Sequence, residues 1–182
     1  MRNKKVVYKL FTAWQDEKEA AWLESMALQG WIFEDVKIFR YTFIKGEASK
    51  IRYRLDYQEL KNNELQEYLQ LFSDMGWTMV GRLNNWYYFS TRDPHVVEIY
   101  TDQQSKIDKY RRVFRTILIV SFPLTYYVIF FSNFMRAQMD IPFSAFLEIT
   151  RFGMFVVWVL LVLSVIQLGL KIKKMEEDSE AK

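Results

Sequence analysis

Residues able to do chemistry are few in this chain and far apart. It has no cysteine and a single histidine, His95. Disulfides, thiolate nucleophiles, zinc ribbons, iron–sulfur ligation and a histidine-rich metal centre are therefore excluded. His95 follows Pro94 with no nucleophile or paired carboxylate at motif spacing, so it reads as a boundary-loop histidine rather than a proton carrier. No glycine-rich phosphate loop, metal-ligand spacing or nucleophile elbow is present. The expectation is a protein that is not an enzyme and uses no cofactor.

What remains is aromatic and basic chemistry. Trp14, Trp22, Trp31, Trp77 and Trp86 all precede residue 95. Such rings can wall a pocket for an apolar or cationic ligand, anchor an interface, or simply fill a small core. Trp31 and Trp77 hold equivalent places in a repeat and read as core. Trp14 and Trp86 fall near expected loops and are candidate ligand or partner contacts. Arg52 and Arg54, with Lys50, line one face of an expected strand. They are candidates for meeting an acidic partner or lipid phosphates, with a solvated sheet face as the plain alternative.

The elements that would position these residues repeat. Val7-Tyr8-Lys9-Leu10 is echoed by Arg52-Tyr53-Arg54-Leu55 at an offset of 45, and Gly30-Trp31 by Gly76-Trp77 at 46. Tyr41 and Phe43 return as Tyr87 and Phe89. Self-similarity of this kind outranks local signals in deciding a fold. Each copy reads as strand, helix, strand, strand. Alternation marks strands near residues 5–11 and 50–57, and further strands are expected over 31–39, 40–45, 77–82 and 85–91. Capping boxes are expected at Asp16 with Glu19 and at Asn63 with Gln66, and glycine stops at Gly30 and Gly76. Ala20, Leu23, Met26 and Ala27 form one helical stripe, and Leu65, Tyr68, Leu69, Phe72 and Met75 the other. The expected fold class is α+β: a duplicated strand-helix-strand-strand domain, with its helices on one face of antiparallel sheet, followed by a transmembrane helical hairpin.

The hairpin follows from two stretches without charge, residues 116–135 and 152–170. At about 1.5 Å of rise per residue either spans the roughly 30 Å hydrocarbon layer. Lys106, Lys109, Arg111, Arg112 and Arg115 precede the first, and Lys171, Lys173 and Lys174 follow the second. Basic residues stay cytoplasmic, so both termini are expected there, in a multi-pass cell-membrane protein. Residues 1–95 hold fourteen Lys/Arg and thirteen Asp/Glu, without the surplus a nucleic-acid footprint needs. The expected organisation is a cytoplasmic domain over 1–95 with repeats at about 5–46 and 50–92, and a juxtamembrane helix over 96–115. Spans at 116–135 and 152–170 then enclose an extracytoplasmic loop, 136–151, ahead of a cytoplasmic tail, 171–182. Pro123, with Ser121 and Thr125, marks a kink in the first span.

The opening "VYKLF", the helix ends "ALQGWIF" and "DMGWTMV", the strand "WYYF" and two terminal spans together resemble an uncharacterised DUF-type family of two-helix membrane proteins in Bacillota. Members of that family are often encoded beside PadR-like transcriptional regulators. The plan is also similar, more distantly, to GyrI-like tandem modules. The resemblance implies a regulatory or envelope-related role and supplies no catalytic residues. The functional expectation is a membrane-anchored sensor or adaptor that binds a cytoplasmic protein partner, such as a transcription regulator, and touches no nucleic acid directly. A small-molecule-binding module between the repeats is the alternative, favoured by an aromatic cavity. A subunit of an oligomeric transporter or channel is a further alternative, and self-association is left open.

Overall fold

The computed structural model describes residues 3–61, 63–100, 102–131 and 144–180. The chain divides into two units, Met1–Lys109 and Tyr110–Lys182. The end of the first expected span, residues 132–135, and residues 136–143 of the expected loop lie outside the described residues.

The first unit holds β1 (Lys4–Tyr8), α1 (Asp16–Leu28), β2 (Trp31–Lys37), β3 (Arg40–Lys45), β4 (Arg52–Tyr57), α2 (Leu65–Asp74), β5 (Thr78–Leu83) and β6 (Trp86–Thr91). The strands form two antiparallel three-stranded sheets of identical order, β1-β3-β2 and β4-β6-β5. Both carry a bulge at matching places, between Phe33 and Asp35 and between Met79 and Gly81. Gly30 and Gly76 end the helices with φ of 78° and 84°, the left-handed conformation that costs a residue without a Cβ least.

Pairing corrects one alignment. Tyr41 lies opposite Val7, whereas Tyr87 lies opposite Asp56. The first strands therefore correspond 49 residues apart, not at the offset of 45 that pairs Val7 with Arg52. The four-residue error is an even number, so it leaves every side chain on its face, and alternation alone could not reveal it. The helix starts, Asp16 and Leu65, are also 49 apart, while the ends, Leu28 and Asp74, are 46 apart. The second helix is one turn shorter at its beginning.

The expected capping boxes do not form, and neither helix has a side-chain cap bond. Each helix is instead entered through a reciprocal turn. Thr12 N–H donates to Gln15 Oε1 at 3.2 Å and Lys61 N–H to Glu64 Oε2 at 3.0 Å, while Gln15 N and Glu64 N donate back to the carbonyls of Thr12 and Lys61. Glu19 is unavailable as a cap because it is buried and bound elsewhere.

The helices do not share one sheet face. The stripe of α1, Ala20, Leu23, Met26 and Ala27, is buried with Phe33, Phe43, Tyr53, Leu55 and Tyr88 from both sheets. Tyr68 and Phe72 of α2 pack instead on Trp77, Tyr87 and Phe89. Consecutive residues of β6 thus point into different clusters, and the second sheet is covered on both sides. Phe33 bridges the sheets: its ring stacks on Tyr88 with centroids 5.5 Å apart and lies where a Cβ on Gly81 would come within 2.9 Å. Only glycine admits that approach.

The second unit takes up α3 (Gln103–Tyr126) from Tyr110 onward, a π-helical turn (Tyr127–Phe131), and α4 (Ser144–Glu180). Two helices are long and apolar enough to cross a membrane, Gln103–Phe130 and Ile149–Glu180, their most apolar 18-residue stretches having mean hydropathies of 1.7 and 2.4. Only 11% and 6% of their most apolar windows are buried, unlike core helices of a globule. Pro123 stands inside α3 ahead of the π-turn, and Thr125 Oγ1 donates to the Ser121 carbonyl at 2.8 Å. Trp158 Nε1 donates to Thr125 Oγ1 at 2.9 Å, and Lys171 Nζ to Tyr110 OH at 2.6 Å.

Candidate functional site

Glu19 sits on the buried stripe of α1, three residues after Asp16 and four before Leu23, and is 6% exposed. Tyr41 of β3 and Tyr88 of β6 both donate their hydroxyls to its Oε1, each at 2.7 Å. One carboxylate thus receives a phenol from each half. Burial pushes the Glu19 carboxyl above its ordinary range, against the lowering pull of the two tyrosines and with a further push from Asp16. Burial and the charge of Glu19 raise both phenols, so they remain donors.

Glu19 Oε2 has no hydrogen-bond partner among the described residues, and Glu19 is one of the residues lining a cavity of about 180 Å3. Phe11, Thr12, Phe39 and Tyr41 of the first half and Trp86 and Tyr88 of the second share its wall. Thr12 Oγ1 is buried with no partner. An apolar chamber with one unfilled acceptor and one orphaned hydroxyl is the usual lining of a small-ligand site. Lys9 and Lys37 stand at its rim, Lys9 lying over Phe11 and Trp22 at 4.9 and 4.6 Å.

A larger cavity of about 380 Å3 lies along the other side of α1, but its charges are largely spent on one another. Lys109 Nζ is 2.5 Å from Asp16 Oδ2, both side chains buried. Arg54 takes Glu98 bidentately, at 2.8 Å to each oxygen, and Glu24 at 3.0 Å. Arg52 also pairs with Glu98 and donates to the Val96 carbonyl at 3.3 Å. The Arg54 hydrogen bond, before all else, holds Glu98 below the usual carboxylate range.

Arg52 and Arg54 therefore fasten the segment after β6 across the second sheet. Trp77 lies beneath them, 5.5 and 5.9 Å from their guanidinium carbons, and donates Nε1–H to Val97 O at 2.8 Å. Tyr100 closes the strap by donating to Asp56, which also accepts from Tyr68 at 2.7 Å. Of the residues singled out in sequence, Trp86 lines the chamber, Trp14 is half-buried in the turn before α1, and His95 is exposed, its N–H on Asp93 at 2.8 Å. Glu19 was read as a capping residue and so missed as a site. Its place on the Ala20–Leu23–Met26 stripe was the available signal. Among the described residues no three His, Cys, Asp or Glu side chains gather in a way that could hold a metal ion.

The sequence profile of a family described as a protein of unknown function, DUF2812, matches residues 15–122, more than half of the chain. The chain belongs to the DUF2812 family. The match takes in α1, β2 to β6, α2 and α3 as far as residue 122, leaves β1 outside, and includes Glu19, Tyr41, Tyr88 and the strap of this DUF2812 protein. No curated protein and no solved structure matches it.

Proposed function

We propose that this protein is a membrane-anchored sensor whose soluble unit binds a small apolar molecule carrying an amine. Glu19 carries the reading: a buried carboxylate that lines an aromatic chamber and is oriented through one oxygen by a tyrosine from each half. A protonated amine would donate to Oε2, and the rings of Phe11, Phe39 and Trp86 would take the apolar body and share the cation. The chamber is smaller than the roughly 300–1,000 Å3 of drug-sized sites, so the ligand is correspondingly small. The cations at the rim face water, where their repulsion is screened.

Two apolar helices support the anchor, and the basic residues beside them support a cytoplasmic soluble unit. Equal strand order, matched bulges and matched glycine stops support an origin of the two halves by duplication. Readout through a cytoplasmic protein partner is the part of the proposal that rests on the family resemblance.

Benzylamine, titrated into the detergent-purified full chain and followed by calorimetry, tests the site. Saturable binding is expected, weakened about tenfold in Glu19→Gln, which keeps the acceptor for both phenols and loses the charge. No saturable binding, or equal affinity in Glu19→Gln, overturns the reading.

A further inference from the structure

The tips of the two hairpins differ in a way the fold does not require. Between β5 and β6 the turn is Asn84-Asn85, with Asn84 at φ 54°, a conformation asparagine tolerates. Between β2 and β3 the turn is Ile38-Phe39, with Phe39 at φ 62°, where a bulky side chain is an outlier. Both side chains are more than half exposed, as are Tyr8 at the end of the adjoining edge strand and Leu10 just beyond it. They are neighbours: Lys9 N–H donates to Phe39 O at 3.0 Å, and Tyr8 stands opposite Arg40. A strained turn is here spent on presenting two large apolar side chains to the outside.

The charges nearest them are mainly positive, with the exposed Asp35, two residues before Lys37, as the exception. Residues 3–11 and 37–45 contain Lys4, Lys5, Lys9, Lys37, Arg40 and Lys45 and no Asp or Glu. The neighbouring carboxylate Glu34 is taken by Lys4 at 2.7 Å. The counterpart of 37–45 in the second half, residues 83–91, has no charge, although Arg82 just before it donates to the Asn84 carbonyl at 2.7 Å. An apolar tip ringed by lysine and arginine fits an anionic bilayer surface, where the cations meet headgroups and the side chains enter the acyl boundary. A protein partner of the same shape would have to match both an apolar socket and a ring of acids. The chain's two apolar helices make lipid the surface already at hand.

We propose that the β2–β3 tip and the adjoining edge strand, Tyr8, Leu10, Ile38 and Phe39 among Lys9, Lys37 and Arg40, dock on the anionic face of a lipid bilayer. Lys9, Lys37, Ile38 and Phe39 also line the chamber beside Glu19, but the docking does not require that chamber to hold a ligand.

The chain has no cysteine, so one can be placed at will. Full-length Phe39→Cys and Asn84→Cys, each carrying an environment-sensitive nitrobenzoxadiazole label, are reconstituted in phosphatidylcholine vesicles with or without phosphatidylglycerol as a minority component. With phosphatidylglycerol present, the Phe39→Cys probe is expected to shift to the blue and to be quenched by brominated lipid, while the Asn84→Cys probe does neither. Lys37→Gln in the Phe39→Cys background should lower the lipid-bound equilibrium by about fivefold, the share of one cation. Ile38→Cys repeats the measurement with Phe39 intact, so a folding fault at residue 39 cannot decide the result. Equal behaviour of the two tips, indifference to phosphatidylglycerol, or a blue shift that disappears on diluting protein into excess lipid overturns the proposal. The last outcome would assign the tip to a second copy of the chain.

Discussion

The two halves of the first unit are built to one strand order and finished differently. In the second, the segment after β6 lies across the sheet, and Trp77 beneath it is 1% exposed. In the first, the equivalent Trp31 is only half-buried, under the ammonium groups of Lys5 and Lys45 at 5.1 and 4.8 Å. Each half also sets a carboxylate between two phenols, Glu19 with Tyr41 and Tyr88, Asp56 with Tyr68 and Tyr100. Asp56 uses both its oxygens, one on Tyr100 of the strap and one on Tyr68 of α2, whereas Glu19 uses one for both its tyrosines and lines a chamber. The same parts serve closure in one half and access in the other.

Breaking the closed half should have the larger effect. Trp77→Ala removes a fully buried indole and its bond to Val97, and about 3–5 kcal/mol of stability should go with it. Trp31→Ala loses mainly two partly exposed cation–ring contacts, about 0.5–1 kcal/mol each. Thermal unfolding of the purified chain, followed by circular dichroism, should show a drop several times larger for Trp77. Equal losses would mean that the strap does not distinguish the halves.

Two carboxylates, Glu19 and Glu98, titrate out of their ordinary range in opposite directions. Glu19 is raised by burial, so the folded state holds its proton more tightly than the unfolded chain. Its contribution is full below the unfolded value, about 4.3, and is lost as pH rises through the folded one. Glu98 is lowered, first by Arg54. Its contribution is full above the unfolded value and is lost as pH falls through the folded one. Glu19→Gln should therefore gain stability relative to the wild type as pH climbs from the ordinary carboxyl range. Glu98→Gln should lose about 1 kcal/mol at neutral pH, modest because the side chain is 43% exposed, with the deficit narrowing in acid. Denaturant melts across pH decide both, and parallel curves for the two variants would remove the contrast.

Much of this difference was hidden from sequence for identifiable reasons. Strands and helix stripes were legible because alternation and helical spacing are local, and Gly30 and Gly76 announce their own positive φ. The register of β1 was not, since a four-residue slip preserves every face. Glu19 carried two meanings, a capping residue by its spacing from Asp16 and a core residue by its spacing from Leu23, and burial decided for the second. Arg52 and Arg54 read as a solvent or partner face because their acids, Glu24 and Glu98, lie 30 and 44 residues from Arg54. Nothing local announces such partners. The chamber joins residues from Phe11 to Tyr88 and exists only once the halves have packed.

The hairpin tips allow the gentlest comparison, by exchange. Phe39→Asn gives the first tip the residue type of the second, in a conformation where a bulky residue is strained by about 1–2 kcal/mol and asparagine by less. The expected result is a protein more stable by about 0.5–1 kcal/mol, since the lost ring was mostly exposed. Asn84→Phe should lose a similar amount by taking on the same strain. Chemical denaturation of both variants measures the pair. The signs matter more than the sizes: a variant stabilised by removing Phe39 holds a residue that stability alone would not have kept, whereas a destabilised one would make the ring part of the core. In that case the asymmetry between the tips would have no function to explain.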